Sequence, residues 1–133
     1  MDNNTKGQLS EAKALSKLIE IGYSVYIPWD KTNKSDFIIE KDGNLFRVQC
    51  KTAKLQNDGS VLSFKTCSMH SRTKVRSSYK GIVDKFVVYS YELDKVYLID
   101  ISDLEPNTIA TLRVAPSKNN QQKNARMSED YEI

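Results

Sequence analysis

The chain has 133 residues, which is enough for one hydrophobic core and leaves no room for a second, so we expect a single domain over residues 1–133. No stretch approaches the length of a membrane span, and the polar N-terminus lacks the apolar core of a signal peptide, so we expect no membrane partner. Two cysteines and one histidine do not by themselves form a Cys/His metal cluster or a Ser-His-Asp triad, and this cysteine usage is compatible with a cytoplasmic protein.

The first predicted element is a helix that begins at Thr5 and ends at Gly22. At about 100° per residue, four apolar residues share one side: Ala12, Leu15, Leu18 and Ile19. Four charged residues share the opposite side: Lys6, Lys13, Lys17 and Glu20. Glu11 falls near the middle of the apolar side, where a carboxylate is costly unless it is paired or binds a metal. We expect Glu11 to serve a metal site; the alternative is a carboxylate near the helix start that tilts towards solvent.

Two β-like runs follow, over residues 35–40 and 45–53, with Asp42 and Gly43 between them as a strong hairpin signal. Side chains alternate along a strand, so three are expected to point to the core: Phe46, Val48 and Cys50. Three are expected on the other face: Arg47, Gln49 and Lys51. Asp36, at the head of the first run, then converges with Gln49 and Lys51. Such side chains could bind a metal ion through oxygen atoms and place a cation beside it. This arrangement is suited to the hydrolysis of a phosphodiester.

A basic segment follows these strands. The net charge is only +3, but no acidic residue lies between Asp58 and Asp84. Six residues of this region are predicted to bind DNA: Lys65, Arg72, Lys74, Arg76, Tyr79 and Lys80. Cations there alternate with hydroxyl groups, a pattern suited to phosphate contacts, and the alternative is an ordinary solvated loop. A second basic run fits either further DNA contacts or a mobile loop: Lys118, Lys123 and Arg126.

The remaining patterns indicate scaffold. Residues 86–89 and 96–99 are β-branched and aromatic runs that predict a buried hairpin. A short strand containing Val25 and Ile27 precedes Trp29, which fits either stacking on a base or packing within its own turn. Asp84 begins a strand, and we favour a capping role for it over a catalytic one.

The order of Glu11, Asp36 and a Gln49-x-Lys51 pair resembles that of the PD-(D/E)XK nuclease superfamily. It resembles most the small intron-associated homing endonucleases of bacteria, linked to group I introns. The resemblance runs through six segments and so covers nearly the whole chain: residues 7–11, 35–36, 47–53, 79–84, 95–99 and 128–133. Ser35 stands where the superfamily name has Pro. Gln49 stands where most members carry Asp or Glu, and the intron-associated group is known for Gln at this position.

The resemblance implies an α/β fold of the restriction-endonuclease type, a mixed β-sheet flanked by helices in which an N-terminal helix precedes the motif strands. It implies Mg²⁺, with Mn²⁺ as a substitute, bound mainly by Asp36. Glu11 would bind the metal directly or through a water, Gln49 would ligate it or orient the attacking water, and the backbone carbonyl of Cys50 would be an extra ligand. Lys51 would lower the pKa of that water or stabilise the developing charge.

The expected partners are double-stranded DNA and further copies of the chain. One active site cuts one strand, so a double-strand break implies at least a homodimer, and the resemblance allows a tetramer. Three alternatives to a site-specific homing-type endonuclease stay open. Two are enzymes, a Holliday-junction resolvase and a restriction-type nuclease. The third is a non-catalytic DNA-binding module in which Gln49 marks a decayed site.

Overall fold

The chain folds as one long helix followed by a series of strands. The structure is a computed structural model that describes residues 1–56, 58–69, 76–79, 81–104, 108–115 and 126–133. Helix α1 spans Asn3–Glu20. The strands, in chain order, are β1 (Ser24–Tyr26), β2 (Phe37–Lys41), β3 (Asn44–Gln56), β4 (Val61–Lys65), β5 (Cys67–Met69), β6 (Arg76–Ser78), β7 (Lys85–Ser90), β8 (Lys95–Asp100) and β9 (Ile109–Arg113). Two short 3-10 helices complete the described elements: Ile101–Asp103 and Ser128–Asp130. Within the described ranges, no helix has both the length and the apolar character that crossing a membrane requires.

Helix α1 begins two residues earlier than the sequence predicts. Its N-cap is Asp2, whose carboxylate accepts a hydrogen bond of 2.7 Å from the backbone N–H of Thr5. Thr5 therefore lies inside the first turn. Past the other end of the helix, Gly22 has a φ of +104°, a left-handed conformation that glycine adopts readily and that stops the helix there.

The buried face of α1 is rotated from the predicted one. Three of its residues are buried: Ser10, Ala14 and Leu18. Ile19, by contrast, is 56% exposed, and Ala12 is exposed as well. The hydroxyl groups of Ser10 and Thr52 lie 2.7 Å apart and share a hydrogen bond. The predicted core positions of Ala12 and Ile19 are wrong, because the stripe that packs on the sheet is formed by Ser10, Ala14 and Leu18 and turns Ala12 and Ile19 outward.

Strand β3 is the centre of the sheet and changes partners along its length. It pairs antiparallel with β2 up to Val48, parallel with β7 from Val48 to Ala53, and antiparallel with β4 from Lys54 onward. The seven-stranded sheet has the order β1-β2-β3-β4-β9, with β7 beside β3 and β8 beside β7, while β5 and β6 form a separate pair. This mixed sheet behind an N-terminal helix confirms the predicted α/β fold. The described residues contain one α-helix to flank it, α1.

Hydrophobic clusters cover both faces of this sheet. The cluster under α1 contains Leu18, Ile39 and Val87, with Phe46, Val48 and Cys50 of β3 packed into it. The second cluster, on the opposite face, includes seven side chains from five strands and one loop: Ala53, Leu62, Phe64, Val83, Phe86, Ile99 and Leu112. The predicted alternation of β3 is therefore confirmed. Phe46, Val48 and Cys50 face α1. The residues that alternate with them belong to the other face of the sheet: Arg47, Gln49 and Lys51.

Both predicted hairpins are confirmed. Between β2 and β3, Asp42 and Gly43 have φ values of +53° and +81°, the two positive values that a two-residue type I′ turn requires. Strands β7 and β8 pair antiparallel from Lys85 opposite Asp100 to Ser90 opposite Lys95.

Candidate active site

Asp36 lies just before β2 and is held by two hydrogen bonds to β3. Its backbone N–H donates to the Val48 carbonyl at 2.8 Å, and its carboxylate accepts from the Cys50 backbone N–H at 2.8 Å. Burial raises the pKa of the Asp36 carboxyl, while the Cys50 amide and the positive charge of Lys51 act in the opposite direction. The Asp36 carboxylate is therefore half-buried and fixed to β3, and its burial disfavours the ionised form.

Cys50 contributes main-chain atoms on the side of Asp36. In an extended strand, the N–H and C=O groups of one residue leave the backbone on the same edge. Since the Cys50 N–H reaches the Asp36 carboxylate, the Cys50 carbonyl also lies on that edge. The Cys50 thiol points to the α1 face, and its pKa is raised by burial and then by the negative charges of Asp36 and Glu11. The thiol therefore stays protonated at neutral pH.

Glu11 is placed differently from the prediction. It is exposed at the margin of the buried face of α1 and not at its centre, because Ser10 takes the inward position. Burial of its carboxyl raises the pKa of Glu11, and the negative charge of Asp36 raises it further. Such an effect requires the two carboxylates to be close. The structure thus brings Glu11 to Asp36 from the edge of the helix.

Gln49 and Lys51 lie on the sheet face opposite α1. Val48 pairs with Phe37, so Asp36 and Gln49 are the next residues on the two strands, and the Gln49 side chain is half-buried. The Lys51 ammonium donates a hydrogen bond of 3.2 Å to the Tyr79 hydroxyl and lies 4.5 Å from the centre of the Tyr79 ring. Burial raises the pKa of Asp36 and the charge of Lys51 acts to lower it, so a cation stands near this carboxylate at a position that Tyr79 defines.

A second charged pair fixes the turn next to this site. The Asp84 carboxylate accepts hydrogen bonds from the backbone N–H of Arg47 at 2.8 Å and from two nitrogens of the Arg47 guanidinium at 3.2 and 3.3 Å. The Asp84 N–H in turn donates to the Arg47 carbonyl at 2.8 Å. The guanidinium of Arg47 lowers the pKa of the Asp84 carboxyl. These contacts agree with a structural role for Asp84, which ties the start of β7 to β3.

The oxygen atoms of this site fit a hard divalent cation. The described residues contain no group of three or more His, Cys, Asp and Glu side chains that could hold a metal ion. Two neighbouring carboxylates, a neutral amide and a main-chain carbonyl are nevertheless suitable ligands for Mg²⁺, which keeps several waters and completes its shell with substrate phosphate. The donor set is sparse and depends on such additional ligands.

Half of the predicted DNA-binding residues lie outside the described part of the chain. These are Arg72, Lys74 and Lys80, and the same holds for Lys118 and Lys123 of the second basic run. The backbone of Arg76 belongs to β6. Lys65 is exposed at the end of β4.

Three side chains in these regions have definite positions. Tyr79 is only 5% exposed, so its ring belongs to the core and its hydroxyl to the Lys51 contact. The Arg126 side chain donates to the Asp103 carbonyl at 2.7 Å, a contact within the fold. Trp29 is 98% exposed, so the interpretation that it packs within its turn is wrong, and stacking on a base stays a prediction.

Sequence reasoning missed two contacts that position the site. The bond between Ser10 and Thr52 fixes α1 beside β3, and the Tyr79 hydroxyl holds Lys51. Both join residues far apart in the chain, and a single sequence carries no periodic or spacing signal for either.

Comparison with known proteins gives a family and a similar fold. A family model described as PD-(D/E)XK endonuclease matches residues 1–133. Among solved structures, the fold is similar to that of a bacterial homing endonuclease, I-Ssp6803I, with a TM-score of 0.75 over 99% of this chain and 89% of that chain. The sequence identity is 20%, so this likeness concerns the fold alone. No curated protein matches the chain.

Proposed function

The chain belongs to the PD-(D/E)XK endonuclease family, and on that premise we propose that it is a metal-dependent endonuclease that hydrolyses phosphodiester bonds of double-stranded DNA. The observation that carries the proposal is the convergence of Glu11, Asp36 and Lys51. The Asp36 carboxylate is bonded at 2.8 Å to the amide of Cys50, the residue directly before Lys51, and the pKa of Glu11 is raised by burial and then by the charge of Asp36. Two carboxylates and a fixed cation on neighbouring elements support hydrolysis at a phosphate.

The metal would be held by oxygen atoms of four residues. Asp36 is the main ligand, Glu11 and the Gln49 amide oxygen contribute directly or through water, and the Cys50 carbonyl completes the protein's share. Mg²⁺, or Mn²⁺ in its place, would supply a Lewis acid for the scissile phosphate and a more acidic bound water. The fit rests on the donor set: two carboxylates, an amide oxygen and a main-chain carbonyl are ligands that Mg²⁺ accepts, and the Cys50 amide holds the Asp36 carboxylate on the edge that also carries the Cys50 carbonyl.

The other groups act on the attacking water and on the phosphate. Lys51 either assists deprotonation of the water or stabilises the charge that develops on the phosphate oxygens. Gln49 orients the water if it does not bind the metal, because its amide can both donate and accept hydrogen bonds. The water oxygen bonds to phosphorus, and the bond from phosphorus to the leaving sugar oxygen breaks.

A metal-dependence assay tests the proposal directly. We expect purified protein to convert a supercoiled plasmid that carries a selected cleavage site to nicked and then linear DNA with Mg²⁺ or Mn²⁺. Cutting should stop on addition of EDTA. Excess Mg²⁺ should restore cutting, which controls for damage by the chelator. Cutting at an equal rate in EDTA would exclude metal dependence, and binding of DNA without any cutting would favour the DNA-binding module.

The finer proposal is a site-specific homing-type enzyme, the kind associated with group I introns. Two observations support it: the similar solved structure is that of a bacterial homing endonuclease, and position 49 carries Gln. Selection of cut sites from a random DNA library should then return one long site. A short site would indicate a restriction-type nuclease, and preferential cutting of four-way junctions would indicate a resolvase.

We also propose that the chain works as a homo-oligomer. One active site cuts one strand, so a double-strand break needs at least two copies, as in a dimer or tetramer. Light scattering of the DNA complex should give a mass that, after the mass of the DNA is subtracted, is a multiple of the chain mass. A single copy of the chain per cut duplex would contradict the proposal.

Gln49 provides a test of the metal site itself. We expect Mg²⁺ or Mn²⁺ to bind the free wild-type protein weakly, since the site has two carboxylates and a neutral amide. Gln49→Glu should tighten metal binding at least about tenfold, because a further unit charge at about 4 Å is worth a few kcal/mol even at an effective dielectric constant near 20. Calorimetric titration of the metal into free protein measures this.

Gln56→Glu is the matched control for that titration. Gln56 is exposed at the far end of β3, about 23 Å along the strand from Gln49 at 3.3 Å per residue. It carries the same change of charge and should leave metal affinity unchanged. Equal metal affinity in wild type and Gln49→Glu would show that residue 49 lies outside the coordination sphere.

A further inference from the structure

The ammonium group of Lys51 is held by a single aromatic side chain. Tyr79 accepts a hydrogen bond from it at 3.2 Å, and the centre of the same ring lies 4.5 Å from the nitrogen. The two contacts are of different kinds, one to a hydroxyl and one to a ring face, and together they restrict both the distance and the direction of the lysine side chain. A lysine without such a partner would sample many rotamers.

The Tyr79 ring is itself firmly placed. It is 5% exposed and meets Phe86 edge-on, with ring centres 5.7 Å apart and planes at 90°. Phe86 pairs with Gln49 across β3 and β7. The ring therefore rests on the strand that adjoins the site, and its position relative to Lys51 is set by packing.

The backbone around Tyr79 is anchored as well. The Tyr79 carbonyl accepts hydrogen bonds of 3.0 Å from the N–H groups of Ile82 and Val83. This turn ends at Asp84, which is joined to Arg47 by the contacts described above. Both ends of the segment are thus fixed to the sheet, one through the ring and one through a charged pair.

We propose that Tyr79 is a positioning residue that sets the place of the Lys51 ammonium group for phosphodiester hydrolysis. Tyr79 directly follows β6, and Arg76 of that strand was predicted to bind DNA. The segment expected to contact the substrate therefore includes the residue that holds the lysine. DNA binding along this segment and the placement of Lys51 are coupled through one side chain. This inference rests on the proposed function.

The test is a double-mutant cycle between Tyr79 and Lys51. Tyr79→Phe removes one oxygen and keeps the ring on Phe86. We expect it to slow single-turnover cleavage about tenfold, a loss consistent with one hydrogen bond to a charged group, with the DNA dissociation constant unchanged within about twofold. In a Lys51→Met background, Tyr79→Phe should change the residual rate by less than about twofold, because its partner is already gone.

Tyr89→Phe is the matched control. Tyr89 is buried, its hydroxyl donates to Asp94 at 2.6 Å, and Lys13 lies 5.9 Å from its ring centre. The same chemical group is thus removed from a hydrogen bond to a charged side chain on the α1 face, one in which the hydroxyl donates. Tyr89→Phe should leave the cleavage rate unchanged, which separates a general loss of a buried hydroxyl from a loss at Lys51.

Two results would overturn the inference. One is a Tyr79→Phe variant that cuts as fast as wild type, which leaves the proposed function intact. The other is an equal rate loss in the presence and absence of Lys51. Urea unfolding of the same four proteins gives a readout that does not depend on activity: the stability losses should be less than additive. Fully additive losses would show that the two side chains do not interact, whether or not the protein cuts DNA.

Discussion

Replacement of Asp36 by Asn is expected to reduce DNA cleavage at least about 10³-fold, because the variant loses several kcal/mol of charge stabilisation at the scissile phosphate. The Asn oxygen can still accept the 2.8 Å hydrogen bond from the Cys50 amide, so the local structure should remain. Only the negative charge that would hold the metal disappears. Nicking of supercoiled plasmid at saturating Mg²⁺ measures the loss, and a gel-shift assay should show DNA affinity close to that of wild type.

The stability of the same variant provides a check on its folding. The folded-state pKa of Asp36 is raised by burial. A raised carboxyl pKa means that the contribution of this group to stability is present below its unfolded pKa and is lost as the pH rises through the folded value. At neutral pH without metal, Asp36→Asn should therefore melt no lower than wild type. An inactive variant with a clearly lower melting temperature would indicate a structural role instead.

Asp42→Asn is the control for Asp36→Asn. Asp42 is exposed in the hairpin turn at a φ of +53°, a conformation that Asn tolerates. It carries the same charge change at the opposite end of β2, and cleavage should persist. Undiminished cleavage by Asp36→Asn itself would remove Asp36 from the metal site.

Replacement of Lys51 by Met is expected to slow cleavage about 10²- to 10³-fold, the usual cost of losing one electrostatic stabiliser of a transition state. Methionine keeps most of the apolar length of the side chain, so the packing on the Tyr79 ring should survive. Single-turnover kinetics at saturating DNA separate this effect from substrate binding. The affinity for DNA should fall far less than the cleavage rate, because one cation makes only a small part of the total contact with the DNA phosphates.

Lys41→Met is the matched control for Lys51→Met. Lys41 lies 5.2 Å from the ring centre of Tyr23 and donates to the Ile21 carbonyl at 3.3 Å. It therefore also combines a hydrogen bond with a contact to an aromatic ring, at the hairpin end of β2 and away from Asp36. If Lys41→Met slowed cleavage as much as Lys51→Met, the effect would reflect overall charge and not the site.

The motif strands could be predicted because their geometry is local. Asp42 and Gly43 specify a two-residue hairpin, and alternation then places Asp36 beside Gln49 with no knowledge of the rest of the chain. Helix α1 was predicted for similar reasons. The rotation of the helix could not be predicted, because the hydrogen bond between Ser10 and Thr52 joins residues 42 positions apart. The apolar periodicity alone placed Glu11 at the centre of the buried face.

The strands that complete the sheet were harder to predict. Strand β9 pairs with β4 from Ile109 opposite Lys65 to Arg113 opposite Val61, and it was not recognised, because it is short and one of its faces is exposed. The role of Tyr79 was missed for a related reason. Its hydroxyl and basic surroundings indicated phosphate contact, whereas its partner Lys51 lies 28 residues away and only the tertiary fold brings them together.

The hydrogen bond from the Cys50 amide to Asp36 gives the protein an internal spectroscopic probe. This N–H belongs to β3 but is bonded to a side chain in place of a strand carbonyl. If a cation binds the Asp36 carboxylate, the shielding of this amide proton should change more than that of an amide bonded to a carbonyl of a neighbouring strand. The Cys50 resonance in a ¹⁵N spectrum should therefore report binding of a metal ion to the free protein, before any DNA is present.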